Sequence, residues 1–553
     1  MESNPALCQI DLQNEGEIRI EPGTLILIVG PNNGGKSTFL REIQERIAQP
    51  VETRWITRLT WDTGSKADWA EYVVRSFQQD PQMPSVFKHR STGRQVNEAE
   101  IIGFPDRQVS NFPDFLVRAL DAQSRIGLAN PASAPDVLDG RRTHPHHEFF
   151  YSENLEKEFS KKVRTAFGYD FRINRTGNQT RGYLGSAPKG ARLSHEYELQ
   201  IQRDMTPVDE FGDGVRSYVG ILLHLIGDMR PVTTIDEPEA FLHPPQARSL
   251  GIELALAAKN RGRQVFVATH SLDLIKGALS SNKDNIMIID LDHKRKKQDR
   301  LHIVNPEVVR EFTESPILLH TGALDALFYE EVVICEADAD IMFFKWFLDK
   351  YSNDRRRKER FWISGYGKSG IPKIMEDMVH LGRMPKAIFD LDVLLSPEIL
   401  RSVADLLNID IAAHETTIRE LPSRVRVPSA SQALKDIREA LEGEGGDAAT
   451  DEDAKATLQS LRRKIDGVGK SNALKTNGLN AFPRGQFRAS VESLLALFCK
   501  HGVLILSEGE MENLCPSTGR HGPSWVRSVL KNDPLNAAVT LSLLEQLKNA
   551  KIN

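Results

Sequence analysis

Gly30-Pro31-Asn32-Asn33-Gly34-Gly35-Lys36-Ser37-Thr38 is the stretch on which the reading of this chain turns. Before it, Thr24 to Val29 (TLILIV) is a short apolar run rich in β-branched residues, the pattern of a strand buried on both faces. After it, Phe39, Leu40 and Ile43 recur at helical spacing. The order strand, GxxxxGKS, helix is the context in which a phosphate-binding loop works. Glycines let backbone N–H groups converge on phosphate oxygens at a helix N-terminus, a lysine at position 36 reaches the β- and γ-phosphates, and the Ser37 hydroxyl is placed to ligate Mg²⁺. Gly30 and residues 32–38 are therefore expected to hold ATP. Chance alone produces this pattern in roughly a few per cent of chains of this length, so the residues downstream decide.

They occur in the right order. Val232 to Ile235 (VTTI) reads as a second buried strand and delivers Asp236-Glu237 to its C-terminal end, the edge where ligands sit in open α/β sheets. There Asp236 is expected to hold the Mg²⁺ hydration shell and Glu237 to act as general base on the attacking water. Taken alone, an apolar run ending in Asp-Glu is weak, because capping carboxylates look similar. Gln264 to Ala268 (QVFVA) is a third strand and brings His270 to the same edge, in reach of a γ-phosphate. Upstream, Phe211-Gly212-Asp213-Gly214 opens an apolar helix whose N-terminus Gly212 and Gly214 allow to approach a phosphate.

This set resembles the ABC ATPase family of the SMC and recombination-repair kind. The turn at 211–214 departs from the usual Leu-Ser-Gly-Gly, with Phe211 and Gly212 in the first two places. The resemblance implies that the turn of one subunit closes on the ATP of another, so that a homodimer or higher homo-oligomer forms the composite site. Between the halves, residues 49–197 read as an insertion, an arm or lid that a compact ATPase sheet does not need, leaving the ATPase domain to 1–48 and 198–323. It contains the polar run Asn174 to Gly185, and its His144, His146 and His147 read as loop, because they lack the cysteine pair that would accompany a metal site.

After Ala323 a new α/β pattern starts. Glu331 to Cys335 (EVVIC) is a strand ending in Glu336, followed by Asp340 at the head of an amphipathic helix. Phe361 to Ser364 precedes Gly365-Tyr366-Gly367-Lys368, and Ala387 to Phe389 ends in Asp390-Leu391-Asp392. Side chains alternate along an extended segment, so Asp390 and Asp392 are expected on one side of it. With Glu336 they form an oxygen ligand set for one or two Mg²⁺ or Mn²⁺ ions, and a metal pair about 4 Å apart suits phosphodiester cleavage. The plainer reading makes both aspartates strand-end turn formers. The arrangement resembles the Toprim fold, with Glu336, Asp340, Asp390 and Asp392 matching position by position and Ala337 in place of the frequent glycine. Lys368 falls where related proteins carry a glycine-lysine pair. Val503 to Leu506 and the acidic turn after it supply Glu512, with Glu510 behind it, as a further ligand.

An ABC-type ATPase followed by a Toprim domain, here 324–553 with a helical insertion at about 401–500, resembles the OLD (overcoming lysogenization defect) nuclease family, including nucleases of anti-phage defence. The resemblance implies an ATP-regulated, metal-dependent DNA endonuclease. The alternative is a non-nucleolytic sensor ATPase whose Toprim-like domain scaffolds a partner defence protein.

Bulk properties set the limits. A chain of 553 residues needs more than one core, and 40% hydrophobic with 27% charged residues is ordinary for a globular protein. A net charge of -5 gives no global basic field for nucleic acid, which leaves the local runs His293 to Lys297 and Arg355 to Arg360. Cys8, Cys335, Cys499 and Cys515 lack metal or redox spacing. With no apolar run of about 18 residues and no signal-peptide pattern, the expected location is the cytoplasm and no membrane partner is expected, against an ABC transporter subunit. The acidic, Gly-rich Leu441 to Ala454 reads as a surface loop.

Overall fold

The computed structural model describes residues 4–552 apart from 14–15, 32, 46–52, 91–92, 108–114, 136–143, 191, 193, 229, 282–283, 293–299, 315–322, 353–358, 428–430, 432–433, 436, 440–468, 516–521 and 533–534. The runs at 293–297 and 441–454, most of that at 355–360, and Asn32 lie outside the described residues. The chain divides into two compact units, Met1–Ser315 and Pro316–Asn553.

In the N-terminal unit β1 (Ala6–Leu12), β2 (Glu17–Arg19) and β4 (Ile56–Asp62) form an antiparallel sheet in the order β2-β1-β4. The apolar run after it becomes β3 (Leu25–Val29), in which all five residues are buried, and the glycine-rich turn leads into α1 (Lys36–Glu45). β3 joins a six-stranded sheet with β5 (Val117–Leu120), β6 (Val232–Asp236), β7 (Gln264–Ala268), β8 (Ile286–Asp292) and β9 (Arg300–Val304). The order is β9-β8-β3-β7-β6-β5, with only the β8–β9 pair antiparallel. Gln264 ties the two sheets, its Nε2 donating to the Leu7 carbonyl at 2.8 Å and its Oε1 accepting from the Leu7 N–H at 2.7 Å. Helices α2 (Ala122–Gly127), α3 (Asp213–Gly227), α4 (Pro244–Arg261) and α5 (Leu272–Ser281) complete the frame of the site.

Residues 49–197 are not a detachable arm. They supply β4 to the antiparallel sheet and β5 as the edge strand of the main sheet, in register Val232↔Val117 to Ile235↔Leu120. Trp61, Trp69, Tyr72, Phe104 and Phe115 share one core with Ile26, Phe39 and Phe266. His146 and His147 depart from the loop reading, because they open a helix over His146–Tyr151, and the polar run Asn174 to Gly185 lies in an antiparallel hairpin of Asp170–Asn174 with Gln179–Gly185.

In the C-terminal unit β10 (Glu331–Cys335), β11 (Arg360–Ser364), β12 (Lys386–Phe389) and β13 (Val503–Ile505) form a parallel sheet in the order β11-β10-β12-β13. Helix α6 (Asp338–Tyr351) packs Phe343, Phe344 and Phe347 against Trp525 in a core where each ring contributes about 2–3 kcal/mol by burial. Helices α7 (Ile371–His380) and α8 (Lys470–Asn477) complete the elements used below. Among the described residues no helix is long and apolar enough to cross a membrane.

Candidate functional sites on two sheet edges

In the N-terminal unit the parallel strands deliver their C-terminal ends to one edge. Lys36, at the head of α1, is buried and its Nζ donates to the carbonyls of Gly30 and Pro31, both at 3.0 Å, so the loop's own oxygens occupy the ammonium. Burial lowers its pKa to about 8 against the opposing pull of Glu237, Asp236, Glu239 and Asp290. Ser37 and Thr38 stand in the first turn of α1, Ser37 exposed. A Cβ on Gly30 would lie 2.0 Å, and one on Gly34 2.6 Å, from the carbonyl oxygen of Leu291. The neighbouring strand β8 therefore requires these glycines as firmly as any phosphate would. Asn33 and Gly35 complete the turn with φ of 61 and 94°.

Asp236 closes β6, and its Oδ1 is buried without a hydrogen-bond partner, the condition expected of an oxygen that serves a cation or its water. Glu237 is exposed and adopts φ 47°, an uncommon left-handed backbone for a non-glycine residue. The His270 Nε2 lies 3.7 Å from Glu237 Oε1, and burial lowers the imidazole pKa. Asp236, Glu237, His270 and Lys36 thus lie within electrostatic range of one another at one sheet edge.

Three further groups were not legible in the sequence. Glu239 Oε1 accepts from the Thr269 hydroxyl and from the His270 N–H, each at 2.8 Å, which fixes the loop bearing His270. Asp290 is a buried carboxylate near Lys36. Arg125 at α2 is only 1% exposed, and its guanidinium donates to Ser217 Oγ (2.8 Å), to the Asp236 carbonyl (2.6 Å) and to the Glu237 carbonyl (2.9 Å). It pins the Asp-Glu turn to α3. At the head of α3, Gly212 is the N-cap with open space where a Cβ would stand, whereas a Cβ on Gly214 would lie 2.4 Å from the Phe241 carbonyl. Gly214 is thus required by close packing within its own chain, and only Gly212 leaves the helix end open.

In the C-terminal unit Glu336, Asp390 and Asp392 each place a carboxylate oxygen within 4.8 Å of the others. The route differs from the sequence argument. β12 ends at Phe389, and Asp390 caps a 3₁₀ turn over Leu391–Leu395, so a tight turn and not strand alternation brings Asp392 back to Asp390. The Asp390 N–H donates to Glu336 Oε1 at 3.0 Å, locking the two strand ends together. Ala337 has φ −141°, extended backbone open to any residue, and its N–H donates to Asp340 Oδ2 at 2.8 Å, so no glycine is needed there. Glu512 belongs to a separate turn and accepts from the Gly522 N–H at 2.8 Å; it stands in the electrostatic range of Asp340 and Asp390 but outside the close triad.

Cations already attend the carboxylates. Lys368 Nζ donates to Asp392 Oδ2 at 2.8 Å and to its carbonyl at 3.1 Å, Ser471 Oγ donates to the same Oδ2 at 2.6 Å, and Lys475 Nζ donates to Asp390 Oδ2 at 2.8 Å. Ser471 and Lys475 both come from α8, inside the region read only as a helical insertion. Asp392 Oδ1 is buried without a hydrogen-bond partner. Burial first, then mutual repulsion with Asp390, raises Glu336 to about 8 and Asp340 to about 7; Glu510 rises to about 7 by burial and the charge of Glu512. This oxygen-only, charge-crowded set fits a hard divalent cation. His144, His146 and His147, by contrast, are clustered by ring contacts but do not form a metal-ligating group among the described residues.

A family model described as "AAA domain, putative AbiEii toxin, Type IV TA system" matches residues 25–276, running through the stretch 49–197. The chain is similar to the L-cystine transport system ATP-binding protein TcyN of Escherichia coli K12, 26% identical over 131 residues that make up 22% of this chain and 50% of the relative. The chain thus spans half the length of that curated relative. Among solved structures, the SMC head bound to the C-winged helix domain of ScpA matches at 13% identity with a TM-score of 0.34, covering 54% of this chain and 98% of that one. The SMC head domain from Thermotoga maritima matches at 11% identity and a TM-score of 0.28, covering 55% and 99%. The N-terminal unit brings a phosphate loop, an Asp-Glu strand end and a histidine to one edge of a mostly parallel sheet, the architecture of a P-loop ATPase, in the region that the AAA-domain model matches.

Proposed function

We propose that this chain is an ATP-regulated, divalent-metal-dependent DNA endonuclease of the OLD type, acting in anti-phage defence, in which a Toprim-like C-terminal unit cuts and nucleotide occupancy governs access. The observation that supports it most is the convergence of Glu336, Asp390 and Asp392 from two neighbouring parallel strand ends. In the ATPase unit, Lys36 exchanges the carbonyls of Gly30 and Pro31 for the β- and γ-phosphates. Ser37 and Asp236 are the residues to hold Mg²⁺, which neutralises phosphate charge when bound. Glu237 takes the proton of the attacking water, and His270 orients the γ-phosphate. Gly212 leaves the end of α3 open for the nucleotide of a second copy, so the working unit is a homodimer or larger homo-oligomer.

In the C-terminal unit Glu336, Asp390 and Asp392 are the residues to hold Mg²⁺ or Mn²⁺, with Asp340 and Glu512 behind them. The ions supply charge stabilisation for the attacking and leaving oxygens of a phosphodiester. Lys368 and Lys475 hold Asp392 and Asp390 in place and keep positive charge where a phosphate must enter. Incubating the purified protein with supercoiled plasmid and Mg²⁺ or Mn²⁺ tests the reading. Nicked or linear product is expected from the native protein and none from Glu336→Ala or Asp390→Ala, with ATP hydrolysis kept in both. Cleavage retained by both folded variants rules this active site out.

A further inference from the structure

We infer that Tyr366 is a base-stacking residue of the C-terminal site: an unpaired nucleobase of a DNA strand lies on its ring while the adjoining phosphate faces Glu336, Asp390 and Asp392. The inference rests on the nuclease reading and adds a substrate preference to it.

The loop that carries Tyr366 is fixed on both sides of it. The Gly365 N–H donates to the Cys335 carbonyl at 2.7 Å, the Gly367 N–H donates to the Glu336 carbonyl at 2.8 Å, and Lys368 pairs with Asp392. The residues flanking the tyrosine are therefore bonded to the strand and turn that present the triad. In this rigid frame Tyr366 itself is 74% exposed, and its backbone stands at φ 52°, where non-glycine residues are uncommon. A single exposed aromatic is ordinary on a protein surface. This one differs because the N–H of the next residue, Gly367, donates to the backbone carbonyl of Glu336, so the tyrosine's backbone is anchored one residue from a hydrogen bond to a member of the triad. Sparsely populated backbone persists where the surroundings over-determine it, and such positions cluster at functional sites.

The chemistry points to an unpaired base. A phosphodiester held at the carboxylates has a nucleobase on each side of it, and a tyrosine ring accepts the π-face of any base without reading its sequence. Duplex bases are already stacked on one another and offer no free face, so single-stranded, gapped or frayed DNA gains the contact and intact duplex does not.

The test uses the full chain with a labelled single-stranded oligonucleotide and the matching duplex, measuring Mn²⁺-dependent cleavage. For the single strand, Tyr366→Ala is expected to raise KM about tenfold with kcat within about twofold, the range that loss of one base–aromatic stack produces. Tyr366→Gly, which accepts the left-handed backbone without strain, is expected to match it. Tyr366→Phe and Tyr366→Trp should keep the native KM, and Mn²⁺ affinity should be unchanged throughout. Native KM in the Ala and Gly variants, a loss confined to kcat, an equal loss in Tyr366→Phe, or an equal KM increase on the intact duplex each overturns the stacking role while the nuclease reading stands. Failure of the native protein to cut either DNA overturns both.

Discussion

Arg125 shows how one side chain outside every motif can hold a site together. Its guanidinium satisfies the carbonyls of Asp236 and Glu237 and reaches Ser217 on α3, while Glu237 is kept at φ 47°. Removing it leaves the Ser217 hydroxyl and two backbone carbonyls without their donor, at a cost of about 1–3 kcal/mol for each acceptor left buried and unsatisfied. Arg125→Ala is therefore expected to lower the melting temperature by several degrees. The more informative variant is Arg125→Lys, which keeps the charge but cannot reach three acceptors with a planar fork. Steady-state ATP hydrolysis should show kcat reduced about tenfold or more with KM little changed, because the Asp-Glu turn is displaced and the phosphate loop is not. A native kcat in Arg125→Lys would leave Arg125 a purely structural ion. The sequence hid this residue because Arg125 is separated from Asp236 by the chain that folds between them, and no local pattern marks an arginine destined for burial.

Elements meet through points of close approach. Helix α3 is buried on nearly all sides, and where α2 crosses it a Cβ on Gly220 would lie 1.8 Å from the Arg125 carbonyl oxygen. Gly220→Ala must push the helices apart and carry Arg125 with them. A loss of about 2–4 kcal/mol in urea unfolding is expected, with ATPase activity falling in parallel, although alanine favours an isolated helix by about 1 kcal/mol. Unchanged stability would mean that α2 does not pack where the structure puts it. The same scale explains two departures from the sequence reading. β5 is the short VRAL segment, which carries no long hydrophobic run yet completes the main sheet beside β6. Asp390 and Asp392 converge because a 3₁₀ turn starts at the end of β12, a choice made by the packing of buried Leu391, Val393 and Leu394.

At the scale of the whole molecule, the N-terminal unit buries several histidines in their neutral form. Burial holds His89, His144 and His224 at about 4, the last despite the neighbouring Asp228. An unfolded histidine takes up its proton near pH 6.5, whereas these native ones do so only near 4. Their contribution is therefore complete above about pH 6.5 and is lost as pH falls toward about 4, with a limiting slope of about 4 kcal/mol per pH unit for all three. Glu198 and Glu239, raised by burial, act in the opposite sense and offset part of it. A urea midpoint clearly lower at pH 5 than at pH 7 is expected, with a smaller difference in His89→Gln. Equal pH sensitivity in that variant would show His89 to be charged or exposed.

What the sequence determined by itself was whatever is local in the chain. The strand, glycine loop and helix at 24–43, the Asp-Glu and histidine at strand ends, and the acidic ends of β10 and β12 follow from hydrophobic period and turn chemistry between near neighbours. The tertiary structure alone decided what depends on contacts between distant segments. It placed β4 and β5, from the stretch 49–197, inside the fold of the N-terminal unit by pairing them with β1 and β6. It brought Lys475 and Ser471 of α8 onto Asp390 and Asp392. It also made Gly214 a packing residue under the Phe241 carbonyl. Periodicity reports which face of an element is buried but carries no information about which other element buries it, and each of these pairings is a choice of the second kind.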